Sequence, residues 1–187
     1  MNTRDLVLIS LFAAIVVVLG LIPPITLGFI PVPITAQSMG VMLAGCILGA
    51  KRGALAFLLF LLLVAIGLPV LSGGRGGLVV LQGPSGGFIL GWVVAAFVTG
   101  LIAERTVREG QAETRQFVGF FLASVLGGIV VLYAIGVPWI SFVTGTPLLA
   151  AAGGSLVFIP GDLLKAAIAT LAARAVYAGY PLLPARA

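Results

Sequence analysis

The sequence predicts an all-α integral membrane protein with six transmembrane helices, one domain and both termini on the cytoplasmic side. Three observations carry this expectation. Only 15 of the 187 residues (10 Lys+Arg and 5 Asp+Glu) are charged, while 61% are hydrophobic. A soluble domain carries about 25% charged and about 45–50% apolar residues, and a sphere of this size cannot bury so much apolar surface behind so few charges. The apolar residues also fall into runs matching the roughly 20 residues a helix needs to cross a bilayer. Finally, the basic residues divide unevenly between the two sets of connections, as membrane topology requires.

The elements follow in order along the single transmembrane domain, residues 1–187. The first helix is expected from Leu6 to Pro23; Arg4 before an apolar stretch resembles a signal peptide, but no small-residue cleavage site leads into a polar mature domain, so the segment is read as retained. The second is expected at Ala36–Ala50, the third at Ala54–Leu71, the fourth at Gly86–Ala103 and the fifth at Phe117–Val137. The last apolar stretch, Leu148–Tyr177, is too long for one crossing. Pro160-Gly161 is its natural break, so the sixth helix is expected from Pro160 to Ala178, with Thr146–Phe158 as a short re-entrant or interfacial helix. The outer loops are then residues 24–35, 72–85 and 138–159.

With the N-terminus in the cytoplasm, that side receives Arg4, Lys51, Arg52, Arg105, Arg108, Arg115, Arg174 and Arg186, and the outer side only Arg75. The opposite topology would export this excess against the positive-inside rule. The outer connections are unusually apolar. Ile22–Thr35 holds four prolines and no charge, and Ser72–Gly87 holds seven glycines with one Arg and one Gln. Irregular backbone at membrane depth persists only where it is buried in protein or lines a cavity, so these loops are expected to fold over a site on the outer face. The 104–116 connection is charged and reads as solvated.

Composition excludes several classes. With no histidine, the usual general base and the commonest metal ligand are absent. One cysteine, Cys46, permits neither an internal disulfide nor a cysteine zinc cluster, and is read as core packing. The basic pI of about 10.2 does not indicate nucleic acid, because the positive charges are dispersed between apolar runs. The glycine-rich GPSGG (Gly83–Gly87) lacks the Lys and Ser/Thr of a P-loop, so the chain has no ATP site of its own. No acid/base pair, metal set or activated nucleophile is found, and the chain is expected not to be an enzyme.

Asp162 and Lys165 are the acid and base that lie inside an apolar stretch far from a cytoplasmic end. Such charges are costly and usually mark a site. Their i,i+3 spacing places both on one helix face, and Pro160 suits the first turn of that helix, whose positive N-terminus favours an ionised Asp162. The alternative is a salt bridge closing a packed bundle. Arg75, the sole outer charge, lies among glycines that allow close backbone approach to a ligand; the alternative is a solvated loop arginine. Gln37, Gln82, Ser85, Tyr133 and Trp139 are weaker candidates, with Trp139 read first as an interfacial anchor.

Three stretches carry a family resemblance: PVPITAQSMGVMLAGCILGAKRGALAFLLFLLLVAIGLPVLSGG (Pro31–Gly74), GPSGGFILGW (Gly83–Trp92) and FIPGDLLKA (Phe158–Ala166). In these the chain resembles the BioY family, substrate-binding S components of energy-coupling-factor biotin transporters, over nearly its whole length. The resemblance implies an S-component fold in the bacterial or archaeal cell (inner) membrane. It also implies an outward-facing biotin pocket and work with a transmembrane coupling protein (EcfT/BioN-like) and ATPase subunits (EcfA/BioM-like). No cofactor is expected, ATP being used by the partners alone, and a homo-oligomer is left open. The chain departs from the small-residue face that related S components often use for docking: Val17 and Val18 follow four residues after Ala13 and Ala14.

On this resemblance, Asp162 accepts from the ureido N–H groups of biotin. Lys165 or Arg75 supplies a cation for its carboxylate or a donor to the ureido oxygen. Gly73, Gly74, Ser85 and Gly86 offer backbone or hydroxyl contacts. Phe88 and Tyr133 pack on the bicyclic ring, and Gln37 hydrogen-bonds it. The alternative function is a self-sufficient secondary transporter of a small carboxylate-bearing vitamin, although no repeated halves or matched broken helices are visible.

Overall fold

The first helix starts where its own side chains can begin it. Asn2 accepts from the Asp5 backbone N–H (2.8 Å) while the Asp5 carboxylate accepts from the Asn2 N–H (3.2 Å), a capping box that opens α1 (Thr3–Gly20). The helix stops short of Pro23-Pro24, which disfavour helical backbone before them. The observed span therefore sits one turn earlier than the expected Leu6–Pro23.

The computed structural model describes residues 2–183, so Arg186 of the sequence-based charge count lies outside the described residues. Among the described residues the chain is helical with no strand, carrying only isolated bridges in its loops. After α1 come α2 (Gln37–Leu48), α3 (Ala50–Ala65), α4 (Leu78–Gln82), α5 (Gly86–Thr106), α6 (Glu113–Val125), α7 (Leu132–Thr144), α8 (Leu148–Ser155) and α9 (Ile159–Gly179). A π-helical segment, Leu126–Val131, joins α6 to α7, and a 3-10 turn, Leu156–Phe158, joins α8 to α9. Four stretches are long and apolar enough to cross a membrane: Thr3–Gly20, Gly86–Thr106, Glu113–Thr144 and Leu148–Gly179. Gln37–Leu48 is a shorter apolar helix.

Several boundaries differ from expectation for identifiable reasons. The 54–71 helix becomes Ala50–Ala65. It begins early because Gly49, at φ +82°, turns the chain in one residue and the Glu104 carboxylate accepts from the Ala50 N–H (2.7 Å). It ends early because Gly67 takes φ +97° and Pro69 follows. The outer connection expected over 138–159 starts later: α7 runs through Pro138 to Thr144 and ends at Gly145 (φ +69°), while α8 falls within the short helix expected at Thr146–Phe158. A proline removes one N–H, whereas ending the helix would free several backbone groups in an apolar setting. The expected 72–85 loop also contains the short α4.

α5 stands at the centre, packed against α2, α3, α6 and α7. α2 is buried along most of its length. The two approach closely at Gly45, where an added Cβ would lie 2.6 Å from the Thr99 Cβ and 2.9 Å from the Ala96 carbonyl oxygen. Cys46 is fully buried, its Sγ 3.4 Å from the Ser124 hydroxyl. Phe57, Phe60 and Trp92 form an aromatic cluster between α3 and α5, with centroids 5.9–6.4 Å apart.

Apart from the Asp162–Lys165 pair, the ionic contacts among the described residues gather at one end of the bundle. Arg52 pairs with Asp5 (2.7 Å) and donates to the Leu182 carbonyl (3.1 Å); Arg4 lies over the Tyr180 ring, and Arg174 pairs with Glu113. The starts of α2, α5 and α9 lie at the other end.

The Gly45 contact makes a stability prediction. Gly45→Ala should destabilise the detergent-solubilised protein by about 1–3 kcal/mol of overpacking, read as a lower melting temperature. Gly153→Ala, in α8 with open space around the new methyl, should be neutral or gain up to about 0.5–1 kcal/mol of helix propensity. Equal stability of the two variants would contradict the close α2–α5 contact.

Candidate ligand-binding site

At the opposite end of the bundle, the helix starts and the two glycine- and proline-rich loops enclose a cavity. Each wall comes from a different element. Val32, Ile34 and Thr35 descend from the 21–36 loop, Gln37 and Ser38 open α2, and Leu71 and Arg75 come from the 66–77 loop. Ser85, Phe88, Ile89 and Trp92 line it from the start of α5, Leu132 and Tyr133 from α7, and Phe158, Asp162 and Lys165 from the start of α9.

The polar wall is a connected network. Pro160 occupies the first turn of α9, where its missing N–H has no intrahelical role, so the helix can begin beside the cavity. Asp162 is 6% exposed. Lys165 Nζ donates to its Oδ1 at 2.8 Å, and Tyr133 Oη donates to its Oδ2 at 2.6 Å. Lys165 donates also to Ser38 Oγ at 3.0 Å, and Ser38 in turn to the Thr35 carbonyl at 3.3 Å. An aspartate offers about four acceptor sites and a lysine three donors. Two Asp162 sites and one Lys165 proton remain for a ligand.

Tyr133 reaches this network because the π-helical segment adds a residue to the turn before it. Phe120, Ala123 and Ser124 before the segment, and Leu132, Gly136 and Ile140 after it, are all buried. Tyr133 stands edge-to-face against Phe88, 5.8 Å between centroids at 86°. Phe88 itself packs against Gly136, where a side chain would collide with the ring.

Arg75 lines the cavity from the 66–77 loop. Leu71 and Arg75 pair backbone to backbone (3.0 and 3.2 Å) around a turn in which Gly73 and Gly74 take φ of +78° and +68°. Arg75 Nε donates to the Ser72 carbonyl at 3.1 Å. Among the described residues it has no carboxylate partner. Partial burial pulls its guanidinium down from the ordinary value, because the charged form loses water there.

Of the ten sequence-derived site residues, seven meet in this cavity: Asp162, Lys165, Arg75, Gln37, Ser85, Phe88 and Tyr133. Gly73 and Gly74 form the apex of the Arg75 turn and border a separate surface cleft with Pro23 and Pro24. Gly86 is buried against Leu81 and Trp139. Trp139, read first as an anchor, donates from Nε1 to the Gly83 carbonyl (2.9 Å) and locks α7 onto the approach to α5. Sequence reasoning passed over Ser38, Trp92 and Phe158. Trp92 was within reach, since it follows Phe88 by one helical turn on the same face.

Comparison with known proteins gives a consistent picture. Residues 1–182 match the family model of the BioY family. The chain is 63% identical over 187 residues to the biotin transporter BioY of Rhizobium etli, covering all of both chains. It is 50% identical over 182 residues to the biotin transporter BioY of Rhodobacter capsulatus, covering 92% of this chain and 93% of the relative. The crystal structure of an S-component for biotin from an ECF-type ABC transporter superposes with a TM-score of 0.87 at 36% identity, covering 95% of each chain. Whole-length agreement in sequence and in fold thus places the chain in the BioY family.

Proposed function

We propose that the chain is the high-affinity biotin-binding S component of an energy-coupling-factor transporter, capturing biotin at the outer membrane face and delivering it inward with an ATP-driven module. The carrying observation is one apolar cavity lined both by a self-neutralised polar network and by an arginine that has no carboxylate partner among the described residues. Biotin has the matching chemistry: a neutral ureido ring with two N–H donors and a carbonyl, an apolar thioether ring and chain, and a terminal carboxylate. The naming of close relatives as biotin transporters supports the same substrate.

The free acceptor sites of Asp162 take the ureido N–H groups, and the remaining Lys165 proton goes to the ureido oxygen. Lys165 is already balanced by Asp162, so the carboxylate finds its cation in Arg75. Phe88 and Tyr133 flank the bicyclic ring, Trp92 lies a turn deeper, and Ser85 offers a hydroxyl to the ligand. Gln37 forms cavity wall, while Gly73, Gly74 and Gly86 shape the loops around the site.

The membrane reading is a multi-pass protein of the cell (inner) membrane with six crossings: α1, α2, α3, α5, α6–α7 and α8–α9. The ionic end faces the cytoplasm, which follows the positive-inside rule. Large apolar side chains on the outside of the bundle, such as Leu62 at 57% and Leu164 at 63% exposed, suit contact with lipid. The partners are a transmembrane coupling protein and a pair of ATPases that supply ATP hydrolysis.

Three measurements test this reading. Biotin binding to the purified protein in nanodiscs should be tight, and Asp162→Asn should weaken it by roughly 10- to 150-fold, the loss of about 1.5–3 kcal/mol expected of a charged hydrogen bond. Unchanged affinity would remove Asp162 from the ureido contact. Arg75→Gln should weaken biotin by a similar factor but leave biotinamide, which lacks the negative charge, within about threefold. In cells lacking other biotin uptake, transport should require catalytically intact ATPase partners; uptake that follows a proton gradient without them would indicate a secondary transporter.

A further inference from the structure

Gln37, the first residue of α2, is fully buried, and its carboxamide is already committed to backbone. Nε2 donates to the Val16 carbonyl and to the Val70 carbonyl, both at 3.0 Å, which uses both of its protons. Oε1 accepts from the Ser72 N–H at 2.9 Å. The side chain therefore ties together α1, the start of α2, and both residues flanking Leu71.

Leu71 is the residue that pairs with Arg75 across the glycine turn. Ser72 is held from two directions, its N–H by Gln37 and its carbonyl by the Arg75 Nε. The Ser72 hydroxyl adds a longer contact to the Ile22 carbonyl (3.4 Å). The end of α1 is shaped for this arrangement: an added Cβ at Gly20 would lie 2.7 Å from both Gln37 Nε2 and the Val70 carbonyl oxygen. Gly73 and Gly74 make the turn permissive rather than rigid. Its register is fixed from outside, by Gln37.

We infer that Gln37 is a positioning residue for recognition of the ligand carboxylate, holding the 70–75 turn so that Arg75 presents its guanidinium to the cavity. The inference rests on the biotin reading above and deepens it. It moves Gln37 from ligand contact to support of Arg75. Both of its donors are spent on backbone and Oε1 already accepts from the Ser72 N–H, so at most one Oε1 lone pair is left for a ligand.

The test compares biotin with biotinamide in nanodisc binding assays on wild type, Gln37→Met, Arg75→Gln and the double variant. Gln37→Met keeps the side-chain length and removes all three hydrogen bonds. It should weaken biotin roughly tenfold and biotinamide by less than about threefold, lowering the preference for the anionic ligand as Arg75→Gln does. In the double variant it should add little to the Arg75→Gln loss, since both act on one contact. Gln37→Asn, a milder neutral change one methylene short, should fall between wild type and Gln37→Met and decides the matter if Gln37→Met does not fold. Equal losses for both ligands, or losses additive with Arg75→Gln, would make Gln37 a direct contact and overturn the inference. A lower melting temperature with an unaltered biotin-to-biotinamide ratio would reduce it to a fold residue and overturn the inference equally. If Arg75→Gln itself shows no preference change, the carboxylate assignment fails first, separately from Gln37.

Discussion

In hydrocarbon, a backbone N–H or C=O without a partner has no water to fall back on, and each such group costs several kcal/mol. Most of the departures from simple helix geometry in this chain answer to that constraint. Glu104 reaches across from α5 to cover the Ala50 N–H where α2 turns into α3. Gln37 covers the Val70 carbonyl and the Ser72 N–H of the 66–77 loop and ties them to the Val16 carbonyl of α1. The helix around Pro138 continues rather than breaks. Irregular backbone is concentrated at one end of the bundle, where Ile25 pairs with Ile34 and Leu71 with Arg75 backbone to backbone.

The same constraint explains how charge is tolerated inside. Asp162 and Lys165 neutralise one another, and Tyr133 and Ser38 supply further hydrogen bonds from α7 and α2. A buried ion pair of this kind adds little to stability over a well-packed apolar pair. Its retention among so few charges is better explained by a ligand than by the fold. Arg75 differs in kind. It lines the same cavity, half-buried, with its charge unanswered by any carboxylate among the described residues. The cavity therefore holds one set of groups that suits a neutral polar ligand group and one that suits an anion.

Much of this was legible in the sequence, and the failures have physical causes. Low charge and long apolar runs announce membrane helices because hydrophobicity is a local property. Asp162 and Lys165 stand out because charge within an apolar run is expensive wherever the chain goes. Helix ends were less legible. The start of α3 is set by Glu104, 54 positions away in the chain, and the persistence of α7 past Pro138 is set by surroundings that a proline cannot report. Gln37 was recognisable as a polar residue near a helix start. Its partners, however, lie 21, 33 and 35 positions away, so whether its amide faced ligand or backbone was a tertiary question. Ser38 escaped notice because a serine beside a membrane helix is chemically unremarked until a lysine arrives from α9.

One buried group has a practical consequence. Cys46 is the chain's single thiol, and it lies fully enclosed between α2 and α6 beside Ser124. Water-soluble maleimides and spin-label reagents have no route to it in the folded state. A cysteine engineered into the 21–36 or 66–77 loop thus becomes the only labelled position in an otherwise native chain. Fluorescence or pulsed-EPR distances between such sites can follow movement of the loops without first stripping the protein of its own sulfhydryl.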